Sequence, residues 1–266
     1  MTGALTVIWA FLRRDWAVER SYRAGFALDL LASTGGLAVF FFLSPLVDDS
    51  SLGQGAESYF AFVVVGLIVF EVMQTGLTSF ARRLRSDQTT GTLEALLMTP
   101  TPQLLIIGSS AAYDLVRALA TGIALLVLAA VLGVDFQVTL TGLGALLVAI
   151  PATVTLVAAT GLALAGATIV FKQTTSMLHL FTAAIALLAG TYFPVSALPG
   201  ALETIGNALP FTWALDVLRP AALGGRIPWE EVVGLAVAGA VAPFLAVVVF
   251  SVSIRRAKAM GTLAQY

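Results

Sequence analysis

Apolar residues run through this chain in long unbroken blocks, and charged residues gather in the short stretches between them. A helix needs about 20 apolar residues to cross the hydrocarbon of a bilayer, and the blocks reach that scale. They do not alternate at period two, as the strands of a membrane barrel must. The pattern predicts six transmembrane helices, near residues 24–46, 59–80, 104–132, 140–171, 177–193 and 232–254. The fourth block exceeds what a bilayer requires, so tilt, a bend at Pro151 or an extension beyond the membrane is expected there.

Three segments depart from this pattern. Residues 1–23 mix Val7, Ile8, Phe11, Leu12 and Trp16 with Arg13, Arg14, Asp15, Glu19 and Arg20, as in an amphipathic helix lying in the membrane interface. Residues 81–103 are too long and too patterned for a turn. Gly91 interrupts a helix, Thr92 caps TLEALLM, Thr99-Pro100 stops it, and Thr101 caps the next helix with Pro102 at its first position. Leu93, Leu96 and Leu97 would hold this short helix at the membrane surface. Residues 194–231 are divided by Pro194, Pro199, Pro210, Pro220 and Pro228, and the pieces ALETIGNAL and FTWALDVL have helical periodicity but are too short to span. They predict a re-entrant helical pair on the outer side, its broken backbone covered by protein or water.

Charge placement then orients the chain. Arg13, Arg14, Arg20 and Arg23 precede the first block, Arg82, Arg83 and Arg85 follow the second, Lys172 lies between the fourth and fifth, and Arg255, Arg256 and Lys258 follow the sixth. The alternate loops carry Asp48, Asp49, Glu57 and Asp135, and only Arg219 and Arg226 break the rule. Basic loops stay in the cytoplasm, so both termini, including the tail 255–266, are expected inside a multi-pass plasma or inner membrane protein. Over its 266 residues the chain is 59% hydrophobic and 11% charged, against about 25% charged in a soluble domain. A net charge of −1 offers nothing to nucleic acid, and the absence of cysteine removes disulfides and thiolate sites. His179 is the one histidine, so no histidine-clustered metal site and no bound cofactor are expected.

Ionisable groups inside the blocks are costly and mark function or pairing. Asp29 and Glu71 are the pathway candidates. Asp114 and Arg117 stand three residues apart and are expected to pair along one helix. Gly35, Gly36, Gly161, Ala165 and Gly166 permit close helix approach.

GTLEALLMTP (91–100) resembles the cytoplasmic signature of the ABC transporter type-2 permeases, and YFPVSALPG with LPFTWALDVLR (192–219) resembles their motif around the fifth span. The order of elements is similar over essentially the whole chain. The resemblance implies the membrane subunit of an exporter, with two permeases, here expected to be identical, above two copies of a separate nucleotide-binding ATPase. ATP and Mg would lie on that partner, since this chain has no phosphate-loop sequence and no catalytic residues of its own. Coupling to the ATPase would fall on Arg82, Arg83, Arg85, Asp87, Gly91, Thr92, Leu93, Glu94, Thr99 and Pro100, with Arg13, Arg14, Asp15, Trp16 and Arg20 forming a second contact. Pro194, Pro199, Pro210, Trp213, Asp216 and Arg219 would shape the re-entrant pair. The expected cargo is an amphipathic drug, lipid or glycolipid-like molecule; the alternative is a polysaccharide. A secondary transporter would show related halves, which 1–133 and 134–266 do not, and nothing organises Ser109, Ser110 and His179 into an intramembrane protease.

Overall fold

The computed structural model describes residues 2–21, 23–47, 58–90, 98–99, 101–171 and 175–259. Among these there is helix and no strand: α1 (Thr2–Ser21), α2 (Arg23–Leu43), α3 (Tyr59–Thr89), α4 (Gln103–Val131), α5 (Leu140–Phe171), α6 (Thr175–Leu188), α7 (Gly200–Asn207), α8 (Pro210–Leu223) and α9 (Trp229–Ala259). Among the described residues, α3, α4, α5 and α9 are long and apolar enough to cross a membrane. Two apolar helical stretches are shorter: Leu31–Leu46, which runs from α2 into the 3-10 turn after it, and Leu178–Leu188 of α6.

α3 is the most enclosed of the four long helices. It packs on α4, α5 and α8, while α5 and α9 lie along each other. The close contacts depend on glycine. A Cβ on Gly161 of α5 would run into the carbonyl of Gly76 on α3, and a Cβ on Gly166 would meet the Phe250 backbone of α9 at 3.1 Å. Such small residues let helix backbones approach where lipid supplies no hydrophobic driving force. Gly35 and Gly36 do not serve this purpose within the chain, since nothing lies within 4 Å of a Cβ built on either.

Several element boundaries differ from the expectation for local reasons. α6 stops at Leu188, short of residue 193, because Gly190 adopts a φ of +79° and turns the chain. Thr101 does not cap α4; Pro102 occupies the cap position, and its carbonyl accepts from Leu105 N–H and Ile106 N–H at 2.9 and 3.2 Å. Pro220 does not divide residues 194–231. It lies in the last turn of α8, which ends at Gly224 with φ +82°. α7 and α8 are two short helices over the pieces that the prolines mark out.

Candidate functional site

A cleft of about 730 Å³ opens between α2, α3 and α6. α3 contributes Glu71, Gln74, Thr75 and Thr78, spaced three and four residues apart and therefore on one helix face. α2 adds Ser33 and α6 adds His179, while Arg82, Arg85 and Ser86 rim the end where α3 becomes basic. The hydroxyl of Thr78 is turned back onto the Gln74 carbonyl at 2.8 Å. The floor of the cleft thus presents a carboxylate, an amide and hydroxyls within an otherwise apolar bundle.

Towards the other end of α3 an aromatic group packs together. Phe40 of α2 stacks on Tyr192 with ring centres 5.7 Å apart, and Phe70 of α3 lies 6.1 Å from the same ring. The Tyr59 hydroxyl donates to the Tyr192 carbonyl at 3.1 Å. This group joins α2, α3 and the turn after α6.

Arg219 of α8 fixes that turn from the side. It is buried, with its guanidinium 3.6 Å above the Phe62 ring. Its Nη2 donates to the carbonyls of Gly190 and Thr191 at 2.7 and 3.1 Å, and its Nε to the Phe62 carbonyl at 3.2 Å. Gly66 is required beside it, since a Cβ there would meet the Thr191 carbonyl and Arg219. Burial pushes the carboxyl of Asp216 up, and the charge of Arg219 opposes this. The Trp213 indole N–H donates to the Asn207 carbonyl at 2.9 Å, which ties α8 to α7.

At the basic end, an ion-pair cluster joins three helices. Arg83 of α3 grips Asp114 of α4, with Nη2 to Oδ1 at 2.8 Å and Nε to Oδ2 at 3.1 Å. The same Nη2 lies 3.2 Å from Asp15 of α1, and Asp15 also accepts from Arg14 Nε at 2.7 Å. Arg82 adds a longer contact to Asp114 at 3.4 Å. Arg117 of α4 lies 3.8 Å from Glu19 of α1. Asp114 and Arg117 therefore draw these ion pairs from neighbouring helices, not from each other as the spacing suggested. Asp15 and Asp114 are both buried, so charge compensation across the three helices is obligatory.

The sequence profile of the ABC-2 type transporter family matches residues 6–223. The chain belongs to this family. It is similar to nodulation protein J of Rhizobium meliloti (strain 1021), 29% identical over 230 residues covering 79% of this chain and 80% of that protein. It is also similar to nodulation protein J of Rhizobium leguminosarum bv. viciae, 30% identical over 230 residues with coverage of 79% and 82%. ABC-2 proteins are the permease part of ABC transporters and work with a separate nucleotide-binding ATPase subunit. With its four long apolar helices, this ABC-2 permease is a multi-pass membrane protein.

Of the residues singled out for coupling, Arg82, Arg83, Arg85 and Asp87 lie on the last turns of α3, and Thr99 follows in a bend. Gly91, Thr92, Leu93, Glu94 and Pro100 lie outside the described residues. Arg13, Arg14, Asp15, Trp16 and Arg20 all lie on α1, but they do not act alike: Asp15 faces α3, whereas Trp16 is 59% exposed. Asp29 lies on α2. Glu71 lines the cleft. Pro194 and Pro199 stand at the caps before the short helix 195–197 and before α7, and Pro210 is the first residue of α8. Two participants escaped the sequence reading. His179 entered the sequence reading only as the lone histidine, yet α6 brings it to the cleft. Tyr113, which lines a cavity together with Glu19, carries no sequence signal, because Glu19 is nearly a hundred positions away.

Proposed function

We propose that this permease moves an amphipathic, glycolipid-like substrate outward, and that the polar cleft between α2, α3 and α6 is where its polar head is received. The observation carrying this reading is the run of Glu71, Gln74, Thr75 and Thr78 along one face of α3, opposite Ser33 and His179. Carboxylate, amide and hydroxyl groups match the hydroxyls of a sugar head, and the surrounding helices match a lipid tail. The basic rim at Arg82 and Arg85 faces the cytoplasm in this reading, with six crossings and both termini inside. The aromatic group of Phe40, Tyr59, Phe70 and Tyr192 then closes the outer end.

Two identical permeases pair, and two copies of the ATPase dock under the basic ends, where ATP and Mg are handled. Residues 81–103 receive the ATPase movement. α3 transmits it directly, because the same helix carries the docking end and the cleft face. Arg83 and Asp15 link α1 to that movement. Glu71 and Asp29 contact the passing substrate. The Phe40–Tyr192 stack favours a longer glycan as the second reading, since such faces also carry sugar rings through a channel.

The cysteine-free sequence supplies the test. Single cysteines at Gln74 and Thr78 should react with a membrane-impermeant thiol reagent from the cytoplasmic side, and a cysteine at Val64, buried in the α3 core, should not. With the ATPase co-reconstituted, Glu71→Gln should lower substrate-stimulated ATP hydrolysis while leaving the unstimulated rate in place. Equal labelling at all three positions, or normal stimulation by every glycolipid and lipid in Glu71→Gln, would remove the cleft from the pathway.

A further inference from the structure

α8 and α9 pack on each other across the turn at 224–228, and a Cβ built on Gly234 of α9 would touch the Trp213 ring of α8 at 3.4 Å. Asp216 follows Trp213 by three residues, and Glu231 precedes Gly234 by three. Each carboxyl therefore stands one helical turn nearer the connection, on the helix face that makes this contact. Leu215, Leu218, Ile227, Val232 and Leu235 belong to one buried apolar cluster at the same seam. The Glu231 oxygen Oε2 is enclosed and has no hydrogen-bond partner.

The charges around the two acids are unevenly placed. Burial pushes the Asp216 carboxyl up, and the charge of Arg219 opposes this. Arg219 nevertheless directs its donors elsewhere, to the carbonyls of Gly190, Thr191 and Phe62. Glu231 stands in the turn of α9 ahead of the apolar block 232–254. Burial, then the charges of Asp216 and Glu230, push its carboxyl up to about 7. α5, packed on both helices, has no ionisable residue over Leu140–Phe171. α3 brings Tyr59, which donates to the Tyr192 carbonyl, and further along Glu71 in the cleft; α7 brings Glu203 in its first turn. Asp135 accepts from Gln137 at 3.3 Å, beside Gly224, and Arg226 of the connecting turn is exposed. Asp216 thus has a cation on its own helix, whereas the charges acting on Glu231 are both negative.

We propose that α8 and α9 form a proton-operated latch, closed while Glu231 is protonated opposite the Asp216 carboxylate and loosened when both are ionised. Two carboxylates across an apolar seam repel each other, and ionised Oε2 would be an enclosed acceptor without a donor. A proton on Glu231 removes both costs. The effect reaches past the two helices, because α8 carries Arg219, which holds the turn after α6 at Gly190 and Thr191. α6 in turn lines the cleft through His179. The Glu231 carboxyl titrates higher in the packed chain than in an opened one. The latch is therefore fully closed below the ordinary glutamate range near about 4.3, and it weakens as pH rises through about 7. The inference rests on the α8–α9 contact and not on the substrate proposed above.

The test is hydrogen exchange of residues 210–223 in the intact permease–ATPase complex in nanodiscs, at about pH 5.5 and about pH 8.5, on either side of the Glu231 titration. At each pH the wild type is read against Glu231→Gln, which keeps the uncharged form throughout, so the intrinsic pH dependence of exchange cancels. The two should match at the lower pH. At the higher pH the wild type should exchange about tenfold faster, the factor that corresponds to one unit of pKa difference. Asp216→Asn removes the opposing charge and should shrink that difference, and Glu230→Gln should shrink it less. Infrared difference spectra across the same range should show a protonated carboxyl band that Glu231→Gln abolishes and Asp216→Asn moves to lower pH. Equal exchange of wild type and Glu231→Gln at both pH values overturns the proposal. So does a difference of the same size at both, which would be a packing effect of glutamine, or a carboxyl band indifferent to Asp216→Asn.

Discussion

Arg83 of α3 holds Asp114 of α4 by both carboxylate oxygens, at 2.8 and 3.1 Å, while the same guanidinium reaches Asp15 of α1 at 3.2 Å. One side chain thus neutralises two buried acids on two other helices. It sits on the last turns of the helix that enters the proposed ATPase contact.

Removing Arg83 should be costlier than removing the cluster. Arg83→Met leaves Asp15 with Arg14 alone and Asp114 with only the longer Arg82 contact, and a loss of about 3 kcal/mol is expected. The double variant Arg83→Met with Asp114→Leu should recover part of that loss, because one stranded charge is gone. Thermal unfolding of the two purified variants measures the difference. A double variant less stable than the single one would show that the pair is not the stabilising unit.

Arg219 should not tolerate lysine. Its fork donates to three backbone carbonyls and its plane lies over Phe62. An ammonium cannot reproduce that geometry. Arg219→Lys should lower stability by about 2 kcal/mol and loosen the turn at 189–193. Proteolysis of the segment 189–228 in detergent-solubilised protein at graded protease concentration reads out that loosening; an unchanged cleavage rate would contradict it.

The crossing of α3 and α5 has no room for a methyl group. Gly161→Ala would press a Cβ onto the Gly76 backbone, and overpacking of this kind costs about 1–3 kcal/mol. Gly144 on the same helix has nothing within 4 Å of its Cβ position, so Gly144→Ala should be neutral or stabilising. Comparing the melting temperatures of the two variants separates a packing requirement from a general effect of alanine.

For the coupling segment, Glu94→Arg should leave membrane insertion intact and lower the ATP hydrolysis linked to transport. Insertion is followed by the yield of folded protein in the membrane fraction, and hydrolysis in vesicles containing the ATPase. If hydrolysis keeps its substrate response, Glu94 does not touch the partner.

Apolar run length by itself determined that this chain lives in a bilayer, because a helix that pairs its own backbone needs only a continuous apolar stretch to be stable there. α4 and α5 run over nearly the same residues as their apolar blocks, whereas α3 continues to Thr89 and α9 extends from Trp229 to Ala259, beyond theirs. Of the prolines in 194–231, those at the starts of α7 and α8 marked these helices, since proline suits a first turn, whereas Pro220 lies inside α8. The family was legible in GTLEALLMTP and the 192–219 stretch, and the profile match confirms it. Which charges meet was decided only in the tertiary structure. Asp114 and Arg117 have the spacing of a pair, yet α1 and α3 pack against α4 closely enough to supply better-placed partners in Arg83 and Glu19. The same holds for Arg219, which looked like an exception to the charge rule and is the buried clasp of the turn after α6. Periodicity fixes which face a residue occupies on its own helix; the neighbour facing it is set by how glycine contacts such as Gly76 with Gly161 let the helices close.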